Sequence, residues 1–410
     1  MKRFFTKKIV TAFLFLLTLF TLAFLNLKVA YPSLKENVTN YLNGSGDKLK
    51  SLSTLVTNLN NTTSNQVFKK YTYIEAYGYM QNLLAKKEIN NFEVVKAKDG
   101  SLYYTYFTTG PNNVDTLVER MERLKEDASK HGSKVMYVMT PDKYIKGKTE
   151  FEKGIPYNYA NETADNFLSD LQKKGIDTLD FRQQMKKDGL YTTNSFYKTD
   201  HHWTIQTAFW AFTDFVDALQ SKYGLQFPHK DLYTNLNNYN QIVYMDSLLG
   251  SMGEKEGILY SGTDDFTFIY PKFNTNFSFY AQDGSDVIKT QGRFEQAITF
   301  TSILSGKSNI YDANSDKYFT YMDGNPGFVQ ITNSNEPKGP KVLFVKDSLI
   351  VPAASFFALG CSQVYMIDPR YYSGNVEDVI DKYKFDYVFV SYSPQNLTTQ
   401  FFPFYKNGSN

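Results

Sequence analysis

A single cysteine, Cys361, in 410 residues excludes a disulfide within the chain and a zinc site built from several thiolates. Histidine and tryptophan are almost as scarce, at four and two. Net charge is nearly absent: the formal value is +2 and the basic residues are scattered. A nucleic-acid backbone demands a concentrated basic field, so no nucleic-acid partner is expected. What the chain does have is apolar bulk. Hydrophobic residues make up 42% and aromatics 17%, enough for a packed core and too much for wholesale disorder. The 32 tyrosines and 34 phenylalanines also suit a carbohydrate-facing surface, although any one of them serves equally well in an ordinary core.

Charge is missing altogether between Ile9 and Leu27. As a helix this run is about 28 Å long, close to the hydrocarbon thickness of a bilayer. Lys2, Arg3, Lys7 and Lys8 precede it, which predicts a cytoplasmic tail at residues 1–8 and a transmembrane signal anchor at 9–27. Cleavage is the other reading, but the apolar region of a signal peptide is shorter and ends in a small-x-small site; Val29-Ala30 is a poor one. Either way, the rest of the protein is expected outside the cytoplasm. Residues 28–70, rich in Asn, Ser and Thr, read as a stalk with weak helix that lifts residues 71–410 from the membrane.

Helix near Tyr73–Lys87 is expected to open the globular part, followed by a hairpin whose strands, Phe92–Lys96 and Leu102–Phe107, flank the Asp99-Gly100 turn. An α/β pattern then begins. Val114, Leu117, Val118, Met121 and Leu124 share a helical face; Lys134–Met139 is a buried-strand run; helix 163–173 and strand 178–181 follow. Phe209, Phe212, Phe215, Val216 and Leu219 mark another helix up to Gly224. From about 228 to 306 alternating stretches such as 266–270 and 277–280 predict an inserted antiparallel subdomain. The alternation resumes with strands at 341–345, 364–367 and 387–390 and helices at 349–359 and 376–383. This is a βαβαβ unit, which predicts a doubly wound parallel sheet.

Half of the scarce histidines stand in Tyr197-Lys198-Thr199-Asp200-His201-His202-Trp203-Thr204. Asp200 and His202, two apart, point to one side of an extended segment, and His201 points away. Trp203 begins the next helix and can wall a site. Ser348 follows the 341–345 strand and precedes a helix, where its hydroxyl reaches the carboxyl edge of the sheet. A serine there can be a nucleophile or only a helix N-cap. A nucleophilic serine needs a base, and the imidazole base needs an acid to hold its tautomer. Asp200-His201-His202 could also be read as a metal site. Adjacent histidines diverge, and His131 and His229 show no ligand spacing, so no metal is expected.

The 197–204 segment resembles the signature of the DHHW protein family, relatives of the SGNH hydrolase-like acyltransferases that decorate bacterial polysaccharides, including the alginate acetyltransferases. Leu248-Leu249-Gly250-Ser251, Leu343–Leu349 and Ile367-Asp368-Pro369-Arg370-Tyr371-Tyr372 resemble family blocks in the same order. The resemblance implies an SGNH-hydrolase-like (flavodoxin-like) α/β fold and a triad of Ser348 as nucleophile, His202 as base and Asp200 as its orienting acid. Lys346 stands where the wider pattern has glycine, and the glycine and asparagine of the oxyanion hole have no assigned counterparts. The Ser348 amide is one expected donor. Arg370, Trp203, His201 and Lys346 are candidate substrate contacts, Arg370 being otherwise a surface ion pair. The implied reaction is O-acetylation of a cell-surface or exported polysaccharide through an acetyl-serine, with no bound cofactor. The acetyl group would come ultimately from acetyl-CoA through a multipass membrane-bound O-acyltransferase partner. An acetylesterase with the same triad, and a non-catalytic glycan-binding protein, remain open.

Overall fold

The computed structural model describes residues 2–44, 48–89, 92–106, 108–306, 309–312 and 315–406. The chain divides into two compact units, Met1–Met80 and Gln81–Asn410.

In the first unit one helix, Lys2–Asn43, runs through the uncharged stretch without a break. Among the described residues nothing buries its apolar part, which is long and apolar enough to cross a bilayer. A second helix, Lys48–Asn65, folds back along it. Asn37 Nδ2 donates to Thr62 Oγ1 at 3.0 Å and Gln66 Nε2 to Ser33 Oγ at 2.8 Å. The Phe68 amide, just beyond, donates to Asn26 Oδ1 at 2.9 Å. Residues expected to form a loose stalk therefore make a helical hairpin. Asn, Ser and Thr disfavour an isolated helix because their side chains compete for the backbone; here several are engaged across the hairpin instead.

The second unit opens with the end of helix Lys70–Leu83 and a small antiparallel sheet of Glu88–Ile89, Val94–Lys96 and Leu102–Tyr104. Asp99 Oδ1 accepts from the Ser101 amide at 3.0 Å, and Gly100 takes φ +87°, so the turn forms as its residues require. Phe107, the last residue of the expected second strand, lies outside the described residues.

An eight-stranded sheet carries the rest. In spatial order its strands are Asp177–Asp180, Lys134–Met139, Tyr387–Ser391, Lys341–Lys346, Gln363–Ile367, Phe328–Asn333, Phe277–Asp283 and Asp286–Gly292. The first five are parallel and the last three antiparallel. The inserted region is thus not a body apart. Tyr239–Leu248 and Asp264–Pro271 pair as a ribbon of their own, but its other two strands extend the main sheet. Hydrogen-bonding edges are left by any open sheet, and these strands lengthen it at one edge.

The Lys341–Lys346 strand is buried on both faces. Val342 and Phe344 join a core with Phe215, Phe356 and Phe389, while Leu343 and Val345 face Leu117, Phe167 and Val388. That two-sided burial explains a continuous apolar run where a half-exposed strand would alternate. From this strand the chain passes first to one neighbour, Gln363–Ile367, and then to the other, Tyr387–Ser391. Its carboxyl end is the switch point of the sheet, where ligands of such folds bind.

Candidate active site

Asp347 and Ser348 turn out of that strand, and the next helix, Val351–Phe357, begins only at Val351. Ser348 is therefore not its N-cap. The turn is held by the neighbouring carboxylate: Asp347 Oδ1 accepts from the Leu349 amide at 3.0 Å. Its Oδ2 accepts from the Ser393 amide at 3.1 Å, Ser393 Oγ at 3.3 Å and Asn396 Nδ2 at 2.8 Å. Ser348 itself remains half-buried. Its amide, the expected oxyanion donor, has no acceptor among the described residues.

Asp200 and His202 reach the same point from a bent segment between Tyr197 and Trp203. His202 Nε2 lies 2.8 Å from Ser348 Oγ, and His202 Nδ1 lies 2.5 Å from Asp200 Oδ1. Asp200 also accepts from the His202 amide at 2.9 Å and, through Oδ2, from the Ser251 amide at 2.7 Å. Burial alone would raise its pKa. The facing imidazoles of His202 and His201, with these N–H donors, outweigh burial and hold it well below the usual carboxylate range. An ionised carboxylate thus fixes an imidazole whose other nitrogen meets a hydroxyl. Such an arrangement can take the hydroxyl proton and return it to a leaving group.

The bent segment is braced from several directions. Lys143, buried, donates to the carbonyls of Leu102 at 2.7 Å, Lys198 at 2.9 Å and Asp200 at 2.9 Å. Asp264 accepts from the amides of Lys198 at 2.7 Å and Thr199 at 2.8 Å, and from Thr199 Oγ1 at 2.6 Å. Gly250 lies against Asp200 so closely that a Cβ there would come within 2.2 Å of the Asp200 Cβ. Tyr318 stacks on His202 with ring centroids 3.8 Å apart, and its hydroxyl donates to the Leu349 carbonyl at 2.9 Å. It touches the His202 ring and the Ser348 turn together. Asp316 accepts from the Tyr318 amide at 2.9 Å, and its carboxyl is pushed up to about 7 by burial and then by the Asp200 charge.

Lys143, Asp264 and Tyr318 carry no local signal, being far from the motif in sequence. For Gly250 a signal existed, its place in a block resembling the family, but not its reason.

Four expectations change. His201 does not point away: because the segment bends, its ring sits 3.9 Å from that of His202 and its Nδ1 3.4 Å from Asp200 Oδ1. Its side chain is 28% exposed; even so, burial and then the His202 charge hold its pKa well below the ordinary histidine value. Trp203 lies one residue before the N-cap, Thr204, and is wholly buried against Phe181, so it cannot wall an open site. Lys346 is likewise fully buried, its ammonium donating to Asn325 Oδ1. Burial, opposed by the charges of Asp368 and Asp347, lowers its pKa to about 8. It is not placed to touch a substrate. Finally, Asp200, His201 and His202 do present donor atoms within 4.8 Å of one another, so divergence of the two histidines is no argument against a cation there.

Arg370 makes a two-pronged pair with the buried Asp368, at 2.9 Å and 2.6 Å, and lies over Phe401. Asn325 joins Lys346 to the same carboxylate, donating to Asp368 Oδ2 at 2.6 Å. A cavity of about 440 Å³ shares Asn325 with this network and is lined also by Phe319, Asp323 and Tyr371.

Residues 94–241 match the family described as SGNH hydrolase-like domain, acetyltransferase AlgX. The matched stretch holds Asp200 and His202 and ends before Ser348. No curated protein matches the chain in sequence. Among solved structures, PatB1 of Bacillus cereus with a sulfonyl adduct is similar at a TM-score of 0.62 and 18% identity, over 76% of this chain and 98% of that one. A DHHW family protein from Eubacterium siraeum is similar at 0.52 and 17%, over 74% and 94%. The resemblance first read from the 197–204 segment is borne out, and at these identities the structures share the fold.

Proposed function

We propose that this protein is a membrane-anchored O-acetyltransferase working outside the cytoplasm on a cell-surface or exported polysaccharide. The observation that carries the reading is the continuous relay from Asp200 through His202 to Ser348, at 2.5 and 2.8 Å. The match of residues 94–241 to an acetyltransferase domain supports the reaction class. The apolar helix supports the anchor.

In the first half-reaction His202 Nε2 takes the Ser348 proton as Oγ attacks the acetyl carbonyl of the donor. The tetrahedral oxyanion is met by the Ser348 amide, and the donor leaves with the proton from His202. In the second, His202 takes the proton of a sugar hydroxyl, whose oxygen attacks the acetyl-serine carbonyl. The Ser348 Oγ bond breaks and the serine recovers its proton. Asp200 stays ionised throughout and stabilises the imidazolium. Asp323 and the rings of Phe319 and Tyr371 give the neighbouring cavity the mix of carboxylate and aromatic surface that suits a sugar. Acetyl-CoA is confined to the cytoplasm, so a multipass membrane-bound O-acyltransferase that passes acetyl across the bilayer is the partner this chemistry calls for.

The test is mass spectrometry of the intact protein after brief exposure to p-nitrophenyl acetate, then addition of cell-wall oligosaccharides. An acetyl group is expected on the Ser348 peptide, moving to the sugar in the second step. Acetylation elsewhere with Ser348 unmodified would sink the mechanism; release only as free acetate in the presence of acceptor would make the protein an esterase.

A further inference from the structure

The helical hairpin of the first unit has a geometric result. Beyond Leu27 the first helix continues for about 24 Å, and the second returns over about 27 Å. The hydrogen bond from the Phe68 amide to Asn26 Oδ1 shows where the return ends: level with the last turn of the uncharged run. Helix Lys70–Leu83 starts two residues later. The chain goes out and comes back, so this third helix begins where the apolar span meets water.

Its composition fits that level. Tyr73, Tyr77 and Met80 recur at i, i+4 and i+7, on one helical face, and are 47%, 43% and 53% exposed. Tyr79, also exposed, lies off this face on the same helix. Tyr31, 57% exposed, lies just past the apolar run on the first helix. Lys28 and Lys69 are exposed at the same height, and Glu75 is the single acid between Gln66 and Met80. Tyrosine rings with lysines at the end of an apolar span are the composition of a membrane–water boundary, where the ring is half in hydrocarbon and the ammonium reaches anionic headgroups.

We infer that the Tyr73–Tyr77–Met80 face docks on the lipid bilayer, at headgroup depth, making a second membrane contact beside the spanning helix. This rests on the anchor reading of the first helix. Residues 28–70 then do not lift the chain from the membrane; they return it there. The occupant is lipid rather than a protein partner because the face continues the boundary that the spanning helix already defines.

Depth measurement tests it. Cys361 is buried, so single cysteines introduced at exposed positions can carry a spin label alone. The full chain is placed in nanodiscs of phosphatidylethanolamine and phosphatidylglycerol with labels at Thr18→Cys, Leu52→Cys, Tyr73→Cys or Tyr77→Cys. Power saturation with oxygen and with an aqueous nickel chelate reads depth. Expected are a deep label at 18, an aqueous one at 52, and labels at 73 and 77 shielded from nickel at least threefold relative to 52. Nickel access at 73 and 77 equal to that at 52, with 18 still deep, would overturn the docking and leave the anchor standing. Nickel access at 18 would overturn both. Shielding that arises only in native membranes, and not in discs where this chain is the sole membrane protein, would assign the face to a membrane protein and overturn the lipid reading.

Discussion

The two halves of the relay are held in opposite ways. Ser348 stands at the end of a strand buried on both faces, and one adjacent carboxylate, Asp347, squares its turn. Asp200 and His202 stand on an irregular bend held by Lys143, Asp264, Gly250 and Ser251, drawn from three other parts of the chain. The strand is regular, and the turn beyond it needs one carboxylate with partners from one other part of the chain. An irregular segment needs a partner for each backbone group it leaves unpaired. The base side should therefore be the more easily broken of the two.

The largest expected effect shows the halves as one unit. Ser348→Ala and His202→Ala should each lower acetyl transfer by about 10⁴–10⁶, and the double variant should be no worse than either, because a relay lost once cannot be lost again. Steady-state rates on p-nitrophenyl acetate check this; additive losses would mean the two act separately. Next, Gly250→Ala drives a Cβ into Asp200 and should cut kcat by about 10²–10³ by misplacing the base. Its thermal melt should show the sheet still folded, and an unchanged kcat would remove Gly250 from the brace.

A smaller effect probes what the brace costs. Asp142, beside Lys143, is buried with its Oδ2 unpartnered among the described residues, and burial raises its pKa to about 7. The folded state thus keeps a proton that the unfolded chain loses near 3.9, and stability contributed below that value is lost as pH rises toward 7. Asp142→Asn removes the titration. Its advantage over the parent in denaturant melts should grow by about 2 kcal/mol between pH 5 and pH 8; a constant difference would place the carboxyl in a wetter site. Smallest of all, Tyr318→Phe keeps the stack on His202 but loses the hydroxyl contact to Leu349. A net hydrogen bond is worth about 0.5–1.5 kcal/mol, so kcat should fall less than about tenfold.

The same contrast decides what could be read in advance. Lys134–Met139 and Val376–Tyr383 appear where the pattern put them, since continuous apolar runs and helical faces are local facts. Ser348, His202 and Asp200 come together as the motif and the strand before the serine implied. Trp203 and Lys346 went wrong because burial is not local: each sits within a few residues of the relay, yet the partners that bury them, Phe181 and Asn325, lie about twenty residues away. The hairpin of residues 28–70 escaped notice for a related reason. Amide and hydroxyl side chains read as loop until the strand of helix they bond to is known.

One contact has a bearing on timing. Three of the four bonds that Asp347 accepts come from Ser393 and Asn396, close to the end of the chain. Ser348 is thus translated before the partners of its frame, which stand 46 and 49 residues beyond Asp347. The strand that carries the serine can form first, and its turn is squared only once residues 393–396 have been added and folded against it.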